Sequence, residues 1–185
     1  MTGTPEHDEQ LTAVLRQAQD LHFLGDRPIP EVIEHARSYC TALTGVAGRV
    51  LELGSGGGVP GLVIAHDRPD LEVVLLDRRT KRTDFLERAV RRLRCADRVV
   101  VVAAEATEYL RTAAGTFDAA VARGFGPGEI TLHYGTQAVE SGGLIVISEP
   151  PDDEPDRWPD ELLAALRVER GRRIGTVTTF LKRGL

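Results

Sequence analysis

Residues 51–62 read LELGSGGGVPGL, with an acid at Glu52 and glycines at 54, 56, 57, 58 and 61. Alternating glycines at 54, 56 and 58, after an apolar run and before a helix-like one, let a backbone turn tightly and press against a nucleotide-like ligand. A dinucleotide would require G-x-G-x-x-G. Counted from Gly54, the sixth position is Val59, a β-branched residue where that motif needs a hydrogen for close helix packing. Glu52 adds an electrostatic argument, because a carboxylate two residues before the turn repels a pyrophosphate and suits a cation.

E-x-G-x-G-x-G therefore fits a nucleoside that carries positive charge and no phosphate. S-adenosylmethionine, with an ammonium and a sulfonium, has that chemistry. Asp77 closes VVLLD, 19 residues after Gly58. A carboxylate there can accept hydrogen bonds from both ribose hydroxyls, and the same residue type also suits a helix cap. In VVAAEATEYL (101–110), small Ala104 and Ala106 leave room for an adenine, and Glu105 or Thr107 can bond its amino group. Arg123 follows FDAAVA, and a guanidinium after an apolar strand must pair or face a cleft; it is expected beside the methyl of the ligand. Ser55, Gly56 and Gly58 of the loop and Arg78 after Asp77 complete the cofactor-binding candidates.

These residues need a scaffold. From Arg49 onward, short apolar runs (RVLEL, LEVVLL, RVVVVA, FDAAVA, GLIVIS) alternate with amphipathic stretches near 62–65, 83–93, 107–112 and 128–139. Strands apolar on both faces and separated by helices predict a doubly wound α/β domain with a mostly parallel sheet. The runs around ALRVERG and GTVTTFL alternate like an antiparallel pair at a sheet edge, which makes seven strands. Ahead of the sheet, Leu11, Val14, Leu15, Ala18 and Leu21 share one helical face, with Gly25 as a stop, and a second helix is expected from Glu31 to about Leu43. Residues 1–10 are expected to be flexible and 11–185 to form a single domain. The proline-punctuated acidic stretch 149–161 is expected to be a solvated connector, placed where it could also border a substrate.

Composition excludes other classes. The 185 residues hold 42% hydrophobic and 28% charged content, enough for one core. Cys40 and Cys95 are too far apart for a disulfide framework or a metal cluster, and the five histidines show no metal spacing. No signal peptide and no apolar run of membrane-spanning length is present, so a cytoplasmic protein is expected. The formal charge of −5 argues against a broad nucleic-acid surface, but residues 78–98 hold nine Lys or Arg against three Asp or Glu, a local +6. That stripe could grip phosphates, or be a solvated helix face whose arginine stems cover the core.

The segment LELGSGGGVPGLVIAHDRPDLEVVLLDRRTKRTDFLERAV, with FDAAVAR beyond it, resembles the core of the glucose-inhibited division protein B family, methyltransferases that modify guanine N7 in small-subunit ribosomal RNA. The resemblance covers roughly residues 33–149. It implies a Rossmann-like methyltransferase fold, S-adenosylmethionine as cofactor, ribosomal RNA as acceptor, and cofactor contacts at Gly54, Val59, Ala106, Thr107 and Arg123. The chain departs from the family at Thr107, which usually is glutamate, and at Ser148 and Glu149, where the family commonly continues into lysine and glycine, removing a cation near the substrate. A ring-nitrogen acceptor needs positioning and water exclusion, so no general base is assigned. Two other functions fit the residues: methylation of a small metabolite, and noncatalytic binding of an adenosine nucleoside.

Overall fold

The computed structural model describes residues 5–150 and 157–184. Helices α1 (Pro5–Asp20) and α2 (Ile29–Ala42) precede the alternating series β1 (Gly48–Leu53), α3 (Gly61–Asp67), β2 (Leu71–Asp77), α4 (Thr80–Arg92), β3 (Val99–Ala103), α5 (Ala106–Ala113), β4 (Phe117–Ala122), α6 (Gly128–Ala138) and β5 (Val139–Ser148). Helix α7 (Asp160–Ala165) and strands β6 (Val168–Ile174) and β7 (Val177–Lys182) follow.

The sheet order is β3-β2-β1-β4-β5-β7-β6. Strands β1 to β5 are parallel, and β7 inserts antiparallel between β5 and β6. The doubly wound sheet with its terminal antiparallel pair thus matches the expectation from the apolar runs. Period-two alternation sorts the strand side chains between two cores. Val50, Val73, Leu75, Val121 and Val146 pack under α1 to α4, while Leu51, Leu53, Val74, Leu76, Ala120, Ile145 and Ile147 pack under α5 to α7. The direction of winding reverses between β1 and β4, paired through Leu53 and Ala122, and a crevice opens beyond that pair.

Three boundaries differ from the sequence reading. Helix α1 begins at Pro5, so residues 5–10 are helical; proline suits a first turn because its missing N–H has no intrahelical partner to lose. The rest of the flexible segment, residues 1–4, lies outside the described residues. Helix α1 also ends at Asp20 rather than near Gly25. His22 takes a left-handed φ of 56°, and the Phe23 N–H donates to the Ala18 carbonyl, the six-to-one closure of a Schellman motif. Leu21, expected on the inner face, therefore leaves the helix and is exposed. The third difference is α7, six residues of the expected connector and strand; residues 151–156 of that connector lie outside the described residues.

On α4, Phe85, Leu86, Ala89 and Val90 are buried, whereas Arg88, Arg91 and Arg92 face solvent, with Arg91 paired to Glu87 at 3.7 Å. Among the described residues no helix is long and apolar enough to cross a membrane, and no group of three or more His, Cys, Asp or Glu could hold a metal ion.

Candidate functional site

Two cavities adjoin at the carboxyl ends of the strands and share Gly124. The first, of about 410 Å³, is bounded by Gly54 after β1, Asp77 to Arg79 after β2, Ala104 to Thr107 after β3, and Gly124 to Pro127 after β4, with Ile130 and Tyr134 of α6 on its far side. The second, of about 580 Å³, lies toward α2 and holds Tyr39, Val59, Arg123 and Glu149 in its wall.

The glycine loop is fixed by its own amides. Ser55 N–H donates to the Leu76 carbonyl at 2.9 Å and Gly58 N–H to the Ser55 carbonyl at 2.7 Å. Gly56 N–H donates to Asp77 Oδ2 at 2.9 Å. Three donors that a pyrophosphate would need are thus spent on the protein, which fits a ligand without phosphate. Gly54 has φ +71°, and a Cβ there would stand 2.8 Å from the Phe125 ring at the cleft. Gly58 has φ +85° and would meet Leu62 at 2.4 Å, so it serves the packing of α3.

Asp77 is buried at the tip of β2 yet lines the first cavity. It does not cap α4, whose N-cap is Arg79. Its Oδ1 accepts the Arg79 amide at 2.9 Å and Arg79 Nε at 3.2 Å. Burial alone would raise this carboxyl, but the Arg79 side chain, the Arg79 amide and the Gly56 amide outweigh it and hold it below its ordinary value. Asp77 is therefore an anion presented to the cavity.

Glu52 corrects an expectation. Its strand position turns it onto the α3 side of the sheet, 1% exposed, where Oε1 accepts Gly61 N–H at 3.0 Å and Oε2 meets no hydrogen-bond donor. It touches neither cavity. Burial pushes its carboxyl up to about 7 against the pull of Ser55 and the Gly61 amide. The residue expected to face a ligand cation instead holds the start of α3 from behind the loop.

The other candidates divide between the cavities. Gly54, Asp77, Arg78, Ala106 and Thr107 line the first, with Arg78 bridged to Glu105 at 3.1 Å and Thr107 Oγ1 2.7 Å from the Tyr134 hydroxyl. Val59 and Arg123 line the second, where Arg123 Nε donates to the Val59 carbonyl at 3.0 Å. Ser55, Gly56 and Gly58 line neither and shape the loop. The sequence reading missed Ile130, Tyr134 and Phe125. Ile130 and Tyr134 are four apart on α6, and Phe125 meets the Tyr134 ring edge-on at 5.7 Å. It also missed Tyr39, whose hydroxyl donates to the Ala122 carbonyl at 2.9 Å and whose burial raises its pKa. Trp158 packs on Phe180 at 4.7 Å between ring centroids and donates to Glu149 at 2.8 Å.

Strand order and crevice together define a Rossmann-like methyltransferase fold, and solved structures share it. One is cofactor-bound Rv0187 from MTB (TM-score 0.67, 21% identity, 96% of this chain and 91% of the other). Another is the SAH-bound Podospora anserina methyltransferase PaMTH1 (TM-score 0.67, 19% identity, 95% and 88%). Residues 10–154 match the GidB family model, rRNA small subunit methyltransferase G, and the chain belongs to that family. Among relatives named ribosomal RNA small subunit methyltransferase G, that of Salinispora arenicola is 35% identical over 131 residues, 67% of this chain and 54% of its own length. That of Mycobacterium marinum is 47% identical over 120 residues, 65% and 50%. The chain spans about half the length of the curated relatives it matches.

Proposed function

We propose that the chain is a cytoplasmic S-adenosylmethionine-dependent methyltransferase, a single domain over residues 11–185, that modifies a base of ribosomal RNA, of the guanine N7 type. The observation that carries the reading is the Asp77 carboxylate, held at the first cavity by a glycine loop in which the Ser55, Gly56 and Gly58 amides are already paired within the protein. Family membership supports both the reaction and the acceptor.

The residues present fit the cofactor. Asp77 would accept the ribose hydroxyls, the Ala106 and Thr107 turn would border the adenine, and Gly54 would leave room for the methionine part, since a side chain there meets Phe125. Bound cofactor supplies an electrophilic methyl on a sulfonium. Arg123, tied to the Val59 carbonyl, fixes the wall beside Gly124, where the two cavities adjoin. A ring-nitrogen acceptor has a free lone pair and no proton to remove, so the protein's work would be alignment and exclusion of water rather than base catalysis.

The test is transfer of a tritiated methyl group to small-subunit ribosomal RNA lacking the modification. Incorporation at a guanine supports the reading. Incorporation into a small metabolite only, or cofactor binding with no transfer, would replace it with one of the two other functions.

A further inference from the structure

Between residues 78 and 98 nine Lys or Arg stand against three Asp or Glu, and five of those cations lie on α4. The basic run begins at the cleft, where Arg78 and Arg79 line the first cavity. Lys81, Arg88 and Arg92 continue it down the helix. At 3.6 residues per turn, positions i, i+7 and i+11 share one stripe, and at 1.5 Å per residue that stripe is about 16 Å long. All three side chains are exposed, as is Arg94 just beyond the helix.

A merely solvated helix face pairs its charges along the helix, and the neighbouring face does so through Glu87 and Arg91 at 3.7 Å. The stripe does not. Asp84 stands three residues after Lys81 and four before Arg88, yet Lys81, Arg88 and Arg92 enter no ion pair or hydrogen bond among the described residues. The helix also runs against its own dipole, for its first turn holds no acid and carries Lys81 and Arg82 at the positive end. Arg88 and Arg92 lie one turn apart, a like-charge spacing that destabilises a helix. Charge arranged at the expense of stability points to an anion outside the chain. Phe85, the one aromatic in this stretch, is buried against Phe23 with 5.7 Å between ring centroids. The stripe therefore offers charge and no ring on which an unpaired base could stack.

We infer that the Lys81, Arg88 and Arg92 face of α4 docks the phosphate backbone of an RNA duplex that flanks the nucleotide to be methylated. Guanidinium and ammonium groups hold phosphates without reading sequence, and paired RNA is recognised through its backbone and shape. Lys81 stands two residues from Arg79 at the cleft rim, so a duplex on the stripe approaches the site from the β2 and β3 end of the sheet. A local +6 on a chain of −5 also orients the encounter, because the acidic remainder of the surface repels the same strands. The inference rests on the proposed RNA acceptor and adds where, away from the reacting centre, this chain holds it.

Arg88→Gln combined with Arg92→Gln would be compared with the wild type for S-adenosylmethionine binding and for methyl transfer to unmodified small-subunit RNA across a salt series. Glutamine removes the charge and keeps helix propensity. Arg170→Gln combined with Arg172→Gln, on edge strand β6 at the opposite end of the sheet, removes the same charge elsewhere. The α4 variant is expected to raise the RNA KM about tenfold, with kcat and cofactor affinity within about twofold. Its dependence of log affinity on log salt should flatten by about 1.8, two duplex phosphate contacts. Adding Lys81→Gln should extend both effects, and the β6 variant should behave as the wild type. A plain RNA duplex without an acceptor site should inhibit the wild type and inhibit the α4 variant about tenfold less. An unchanged KM and salt slope, an equal loss in the β6 variant, undiminished inhibition by the duplex, or a loss confined to kcat or cofactor binding would overturn the inference while leaving the RNA reading standing. A wild type that methylates a small acceptor but no RNA would overturn both.

Discussion

The backbone N–H of Gly56 donates to Asp77 Oδ2 across 2.9 Å, so the acid at the tip of β2 fixes the glycine loop that follows β1. One carboxylate thereby shapes the loop and faces the cleft. Asp77→Ala is predicted to weaken S-adenosylmethionine binding by about 100-fold or more, since hydrogen bonds to a charged group contribute about 1.5–3 kcal/mol each. Asp77→Asn should retain more affinity than alanine. Titration calorimetry checks this, and equal affinity in wild type and Asp77→Ala would remove Asp77 from the site.

The two glycines at 54 and 58 should separate binding from folding. Gly58→Ala forces a side chain into a left-handed conformation against Leu62, at a cost of about 2–5 kcal/mol of stability. Gly54→Ala meets Phe125 at the cleft and should lower cofactor affinity at least tenfold, with a stability cost of only about 1–2 kcal/mol. Urea denaturation together with cofactor titration of both variants distinguishes the two effects.

Glu52 makes stability depend on pH. Its ordinary value is 4.5 and the fold lifts it to about 7 by burial, so the folded chain binds the proton more tightly than the unfolded one. That contribution is complete below pH 4.5 and is withdrawn as the pH rises through 7. Between pH 5 and 8 the wild type should lose about 2–3 kcal/mol of unfolding free energy relative to Glu52→Gln. Parallel pH profiles for the two proteins would contradict this.

Arg123 ties the end of β4 to the Val59 carbonyl in the wall of the second cavity. Arg123→Ala should reduce kcat/KM for methyl transfer by about 100-fold, the order of loss a small misplacement of reactants produces, and change cofactor affinity by less than about threefold. Steady-state kinetics with saturating cofactor reads this out. Intact transfer would remove Arg123 from the reaction.

The strands were legible because a parallel sheet buried on both faces writes continuous apolar runs such as LEVVLL and FDAAVA. Helix α7 was not, since six residues make fewer than two turns and DELLAA follows an acidic, proline-rich stretch. Gly54, Asp77, Ala106 and Thr107 could be located because they follow strand ends, and strand ends meet at one edge of such a sheet. Glu52 was misread for a geometric reason: alternation along β1 turns it beneath the loop, and proximity in sequence to Gly54 carries no information about the side of the sheet. The second cavity left no local trace. Arg27 and Arg173 line one cavity only because β7 inserts between β5 and β6 and seats its hairpin against α2, a pairing that no motif encodes.

The most direct measurement is titration calorimetry of the purified chain with S-adenosylmethionine, with NAD as the phosphate-bearing competitor. A cleft in which the Ser55, Gly56 and Gly58 amides are spent on the protein and which Asp77 lines predicts saturable single-site binding of S-adenosylmethionine and no displacement by NAD. A flat titration with S-adenosylmethionine, or its displacement by NAD, would contradict it.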